Sequence, residues 1–302
     1  MGLQKLILLI FTLFVPTLVS AASCEIFLDP RVQWKAINSM GVLPAGPVGK
    51  LVPIETKSTA RQGGVWMQDE AGTQWMVKPD KYYQHLTSSA EVISSLIYSH
   101  FAILTPVTVK VIIDGNPYAA VRFVGKGLDE SLLLYMHTPQ FRAMRFAAAY
   151  LKDYDRIHTG PNNFIIGQRD FISYDFGGTL GASARGRHKA GAVISDATGA
   201  YPSGESFASM YDGFKLTDPT DPNRLKREIP DVPLPDWHPW MRITDQDVKI
   251  ALKGFQSLTD DLIVKYVQFA AYPDKNDEVY MIKALITNRD AFIEALKNKL
   301  TP

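Results

Sequence analysis

The sequence predicts an α+β fold: a β-rich segment holding one helix, then a mainly helical segment. Three observations predict it. Between residues 63 and 124, short apolar runs alternate with turns bearing Gly, Asn and Asp. Within that region one stretch, Ser88 to Phe101, spaces its apolar residues as a helix does. The last stretch, residues 244–300, is patterned as helix.

Composition narrows the function classes. The chain has 302 residues, 46% hydrophobic and 21% charged, which is ordinary globular composition. This argues against wholesale disorder, collagen-like repeats and a disulfide scaffold. The 32 Lys and Arg stand against 31 Asp and Glu. No surplus positive charge exists to neutralise phosphates, so a polybasic nucleic-acid binder is not expected. The length suits one large or two modest domains.

Residues 1–23 carry one charge, Lys5, then an apolar run from Leu6 to Val19, then Ser20-Ala21-Ala22-Ser23. These are the parts of a secretory signal, with cleavage after Ala21 or Ala22. The run is short for a membrane span and contains Pro16; an uncleaved anchor is the alternative. The expected mature protein is secreted or periplasmic, formally neutral once Lys5 is removed, and without a transmembrane span. Cys24 is the single cysteine, so an intramolecular disulfide is excluded. It is either a bacterial lipoprotein site, with Ala21 where Leu is usual, or a leftover thiol.

Residues 47–58 contain Gly and Pro around the apolar run Leu51 to Ile54. Two apolar runs then flank Asp69-Glu70-Ala71-Gly72, a hairpin signal, and Pro79 ends the second strand. The helix that follows is expected to be capped by Ser88 or Ser89, with Glu91 in its first turn and Val92, Ile93, Leu96 and Ile97 on its apolar face. Val107–Ile113 and Tyr118–Val124 are predicted strands around the turn Asp114-Gly115-Asn116. Gly125 and Gly127 suit a hinge. A helix is expected over 139–152, with short strands at Phe164–Ile166 and Phe171–Tyr174. Residues 195–242, rich in Pro, Gly and Asp, read as irregular. Thr244 or Asp245 caps one late helix, and Asn288–Leu300 forms another.

Four features fall in one chemical order. Gly63-Gly64 precedes the hairpin, and glycines let backbone amides approach phosphate oxygens. Lys78 ends an apolar strand and can pair with phosphates. Glu91, thirteen positions later, can fix that ammonium as an ion pair. Asp153 or Asp155 then precedes Asn162-Asn163, and Asp175 follows in Asp175-Phe176-Gly177-Gly178. Phosphoryl transfer needs a carboxylate near the acceptor hydroxyl and oxygen ligands for magnesium, which Asn and Asp supply. Taken singly, each piece is ordinarily a turn, a helix-dipole residue or a solvated lysine.

On Gly63-Gly64 through Lys78-Pro79, Ala90-Glu91, Val121-Arg122-Phe123, Asp155-Arg156 with Asn163, and Asp175-Phe176-Gly177, the chain resembles the atypical kinases related to HipA toxins, type II phosphatidylinositol 4-kinases and the secretory-pathway kinases. The resemblance spans about residues 58–185, with a looser helical match near 245–300. It implies a two-lobed kinase-like fold, with a β-rich lobe over 24–126, a helical lobe over 127–302, and nucleotide in the cleft. The implied cofactors are ATP and Mg²⁺, with Mn²⁺ as a substitute. By carry-over Gly63, Gly64, Lys78 and Glu91 bind nucleotide, Asp155 is the catalytic aspartate, and Asn163 and Asp175 ligate the metal. The implied acceptor is a protein or a lipid/inositol-type molecule; Arg185 or Lys189 are candidates to meet an anionic one.

The loop departs from the family pattern, in which the catalytic Asp precedes the metal Asn by five residues. Here Asn162 and Asn163 lie seven and eight beyond Asp155. That leaves Asp153 against Asp155, and Asn162 against Asn163, open. It leaves room for a pseudokinase serving as a binding module, or for transfer of AMP or another group. A Ser206 nucleophile in Gly204-Glu205-Ser206-Phe207-Ala208 lacks the second Gly of a hydrolase elbow. The six histidines show no zinc spacing.

Overall fold

The computed structural model describes residues 43–54, 64–80, 86–124, 139–151, 153, 164–166, 171–176, 179–180, 244–272 and 274–301. The signal segment, Cys24, Gly63, Asp155, Asn163, Ser206 and the 195–242 segment lie outside them.

The described elements are β1 (Val52–Pro53), β2 (Val65–Gln68), β3 (Gln74–Pro79), α1 (Leu86–His100), β4 (Thr108–Ile113), β5 (Asn116–Arg122), α2 (Pro139–Leu151), β6 (Phe164–Ile166), β7 (Phe171–Ser173), α3 (Asp245–Ser257), α4 (Asp260–Phe269) and α5 (Lys275–Leu300). β1 to β5 form an antiparallel sheet in the order β1-β2-β3-β5-β4, and β6 pairs with β7. The chain is thus mixed helix and sheet, as the patterning predicts.

Both predicted hairpins form, each for a local reason. Asp69 organises the β2–β3 turn. Its carboxylate accepts the backbone N–H groups of Ala71, Thr73 and Val48 at 3.0, 2.8 and 3.1 Å, and the indole N–H of Trp75 at 3.0 Å. Between β4 and β5, Asp114 and Gly115 both have positive φ, 50° and 78°, which matches the twist of a two-residue hairpin.

Alternation along β3 sorts its side chains between faces. Trp75 and Val77 enter a small core with Val107, Val109 and Ala120. Met76 and Lys78 therefore point to the other face. On that side α1 packs against β4 and β5, and also against α2 and α4. Its apolar residues Val92, Ile93, Leu96 and Ile97 join one large core with side chains of α2 to α5.

The helix termini correct two expectations. α1 begins at Leu86, so Ser88 and Ser89 are inside its first turn and do not cap it. Ser88 instead donates its backbone N–H and hydroxyl to Asp80, at 3.0 and 2.9 Å. Glu91 therefore falls in the second turn, and no acidic residue occupies the first. Thr244 does cap α3, in a reciprocal box with Asp247. Asn288–Leu300 is the second half of α5, a continuous helix of 26 residues. No helix among the described residues is long and apolar enough to cross a membrane.

Candidate active site

Lys78 is held in place by the sheet. Its strand pairs with β5, placing Lys78 opposite Ala119. Its Nζ donates to Glu91 Oε1 at 2.6 Å and to Asp175 Oδ1 at 2.8 Å. Three of the predicted site residues, separated by up to 97 positions, therefore meet at one ammonium. A dipole-stabilising role for Glu91 is set aside by its place in the second turn.

The two carboxylates differ in access to water. The Glu91 side chain is 2% exposed and that of Asp175 is 49% exposed. Burial pulls the Lys78 ammonium down, but the charges of Glu91 and Asp175 outweigh it and hold the group above its ordinary value. Burial pushes the Glu91 carboxyl up; Lys78 and the Phe176 N–H oppose this, while Asp175 adds to it. Glu91 is thus a sealed anchor for the ammonium. Asp175 is a solvent-facing hard oxygen donor, of the kind Mg²⁺ accepts beside phosphate oxygens.

Asp175 sits at φ 62°, in the left-handed region. A non-glycine residue persists there only where its surroundings fix it. Here the fixing comes from α1. Glu91 accepts the N–H of Phe176. Phe176 is buried and stacks on Tyr98 at 5.0 Å. Ser94 donates to the Thr179 hydroxyl at 2.7 Å, and that hydroxyl donates to the Phe176 carbonyl at 2.7 Å. One face of α1 thus holds both Lys78 and the Asp175-Phe176 segment.

Asp153, one of the two aspartates left open by the sequence, is 1% exposed and accepts a 2.9 Å hydrogen bond from the Tyr98 hydroxyl. It braces the same helix and is sealed from solvent. Asp155, Asn162, Asn163 and Gly63 are outside the described residues. Gly64 is buried, directly before β2. Among the described residues no three His, Cys, Asp or Glu gather as a metal site.

Sequence reasoning took Asp69 only as part of a turn and passed over Tyr98 and Lys110. Lys110 carried a signal: it is a charged residue in the middle of the apolar strand Thr108-Val109-Lys110-Val111-Ile112-Ile113.

No known protein family matches the chain, and no curated protein does. Among solved structures it is similar to the Helicobacter pylori proinflammatory kinase CtkA, with a TM-score of 0.51 and 11% identity. The match covers 84% of this chain and 98% of that one. At that identity the likeness is one of fold, and it extends over most of both chains: this chain has a kinase-like fold.

Proposed function

We propose that the chain is an exported, ATP- and Mg²⁺-dependent phosphotransferase of the atypical kinase group, two-lobed, with a protein or lipid/inositol-type acceptor. The observation that carries the reading is the Lys78 ammonium between Glu91 and Asp175 at 2.6 and 2.8 Å. Export rests on residues 1–23, and kinship with HipA-like and phosphatidylinositol kinases on the quoted motifs.

In this reading Lys78 binds the α- and β-phosphates, and Glu91 keeps its ammonium aimed while excluding water behind it. Gly63 and Gly64 let backbone N–H groups approach the phosphates. Asp175 and Asn163 would hold Mg²⁺ (or Mn²⁺), which would supply positive charge to offset that of the phosphates. Asp175 would give up its contact with Lys78 to take that role. Asp155 accepts the proton of the acceptor hydroxyl as its oxygen bonds to the γ-phosphorus and ADP leaves.

The test is Mg²⁺-dependent ATP turnover by the wild type, Lys78→Met and Asp175→Asn. Both variants should lose about a hundredfold or more in rate, as removal of a preorganised charge does. Equal turnover in all three overturns the assignment. Nucleotide binding that needs Lys78, without turnover, assigns the fold to a binding module. Pyrophosphate in place of ADP among the products indicates AMP transfer.

A further inference from the structure

Lys110 shares a cross-strand row with Lys78. Ala119 on β5 is opposite Lys78 on β3 and also opposite Lys110 on β4. Directly opposed residues of an antiparallel sheet share a face. Two lysines thus flank one small residue, Ala119, on the face where α1 packs.

Each lysine takes a different flank of that helix. Lys78 bonds Glu91, and Lys110 donates to the Ser89 hydroxyl at 2.9 Å. Ser89 and Glu91 are two residues apart, which places them about 200° apart around the helix. The pair of contacts therefore opposes rotation of α1 in either sense.

The Lys110 contact reaches further. Its Nζ also donates to the Ala271 carbonyl at 2.7 Å, and the Ser89 hydroxyl donates to the Ala270 carbonyl at 2.9 Å. Ala270 is the C-cap of α4, where helix carbonyls lack intrahelical partners and favour a cation. Lys110 thus ties the sheet, the first turn of α1 and the end of α4 at one point.

We propose that Lys110 is a positioning residue: by fastening the first turn of α1 to the C-terminus of α4, it holds Glu91 in register with Lys78 and makes the C-terminal helices part of the lysine's support. The catalytic consequence rests on the phosphotransferase reading above; the positioning does not.

The test compares the full chain with Lys110→Met, Lys110→Arg and Ser89→Ala, each checked for cooperative thermal unfolding. The first readout is the rate at which acetic anhydride acylates Lys78, resolved by peptide mass spectrometry, with exposed lysines as internal reference. It needs no activity. Reagent reaches the amine only when its contacts open, and with Glu91 loosened Lys110→Met should acylate Lys78 about tenfold faster. Lys110→Arg, which keeps the cation, should restore a rate near the wild type. The second readout is the split between KM for ATP and kcat. Lys110→Met should lower kcat about tenfold with a smaller change in KM, because the amine loses its aim at the charge it stabilises during transfer.

Unchanged Lys78 acylation in folded Lys110→Met overturns the proposal. If that variant does not fold, unchanged acylation in Ser89→Ala overturns it instead. A wild type without ATP turnover, combined with faster Lys78 acylation in the variant, refutes the phosphotransferase reading and leaves the positioning intact.

Discussion

Asp69 and Glu91 are both buried carboxylates beside the same sheet, 6% and 1% exposed, yet their surroundings push them in opposite directions. Burial alone would raise Asp69. The hydrogen bonds from Val48, Trp75, Thr73 and Ala71 outweigh it and hold its carboxyl below the ordinary 3.8. Glu91 is raised: its burial is deeper, and the second carboxylate of Asp175 counters what Lys78 supplies. Neutral, fixed N–H donors make Asp69 a fastening of the chain to itself. Glu91 belongs to a cluster in which two carboxylates compete for one ammonium, and one of the two is open to solvent. Such a cluster has a partner to exchange, which a fully hydrogen-bonded turn does not.

The difference predicts a double dissociation. The largest effect is expected from Glu91→Gln. It should cost about a hundredfold in ATP turnover by releasing the Lys78 ammonium. Thermal stability at neutral pH should fall far less than the rate does, because Asp175 remains to pair the Lys78 ammonium. A variant that loses stability and keeps its rate would erase the contrast.

Asp69→Ala should do the reverse. Four donors lose their acceptor, and unfolding by denaturant should show a loss of about 3 kcal/mol. The turnover of the folded fraction should match the wild type. In acid the same group sets a sign. Asp69 is ionised more readily in the fold, so its contribution is in place above pH 3.8 and is lost as the pH falls through its lower folded value.

A steric lesion calibrates these two. A Cβ on Gly254 in α3 would approach the Phe101 ring to 2.4 Å. Gly254→Ala should therefore cost about 2 kcal/mol by overpacking, seen in denaturant midpoints, and leave the ATP KM unmoved.

The smallest effect concerns His100, at the other end of α1. Its Nε2 lies 2.9 Å from the Ser257 hydroxyl and 3.2 Å from the Gly254 carbonyl, and its Nδ1 is buried without a hydrogen-bond partner among the described residues. Burial pulls the imidazole below its ordinary 6.5, only partly offset by the Gly254 contact. The stability gained from the neutral ring is present above pH 6.5 and lost as the pH falls below it. The melting temperature should drop on acidification in the wild type and less in His100→Gln. Identical pH profiles would show that burial at this end carries no charge penalty.

Much of the fold was legible in the residues. Asp114-Gly115 announces a hairpin because few residues accept positive φ. The apolar spacing of Val92, Ile93, Leu96 and Ile97 marks the buried face of α1. The order Lys78, Glu91, Asp175 was readable too, and these three do converge. The start of α1 was not. Its first-turn N–H of Ser88 is satisfied by Asp80, eight positions back along the chain, and such a partner leaves no capping pattern at Ser88 itself. Asp153 and Asp155 looked equivalent in sequence. Its burial and the hydrogen bond from the Tyr98 hydroxyl, 55 positions away, mark Asp153 as sealed.

By itself the sequence determined the elements, since turns, strand alternation and helix periodicity are local properties of the backbone and of side-chain spacing. It also determined which chemistry-bearing residue types are available, and in what order. Tertiary structure alone decided which of them touch. The contact of Lys78 with Asp175 spans 97 positions and that of Lys110 with Ala271 spans 161. Contacts at such separations depend on strand register and helix packing, to which no window of neighbouring residues has access.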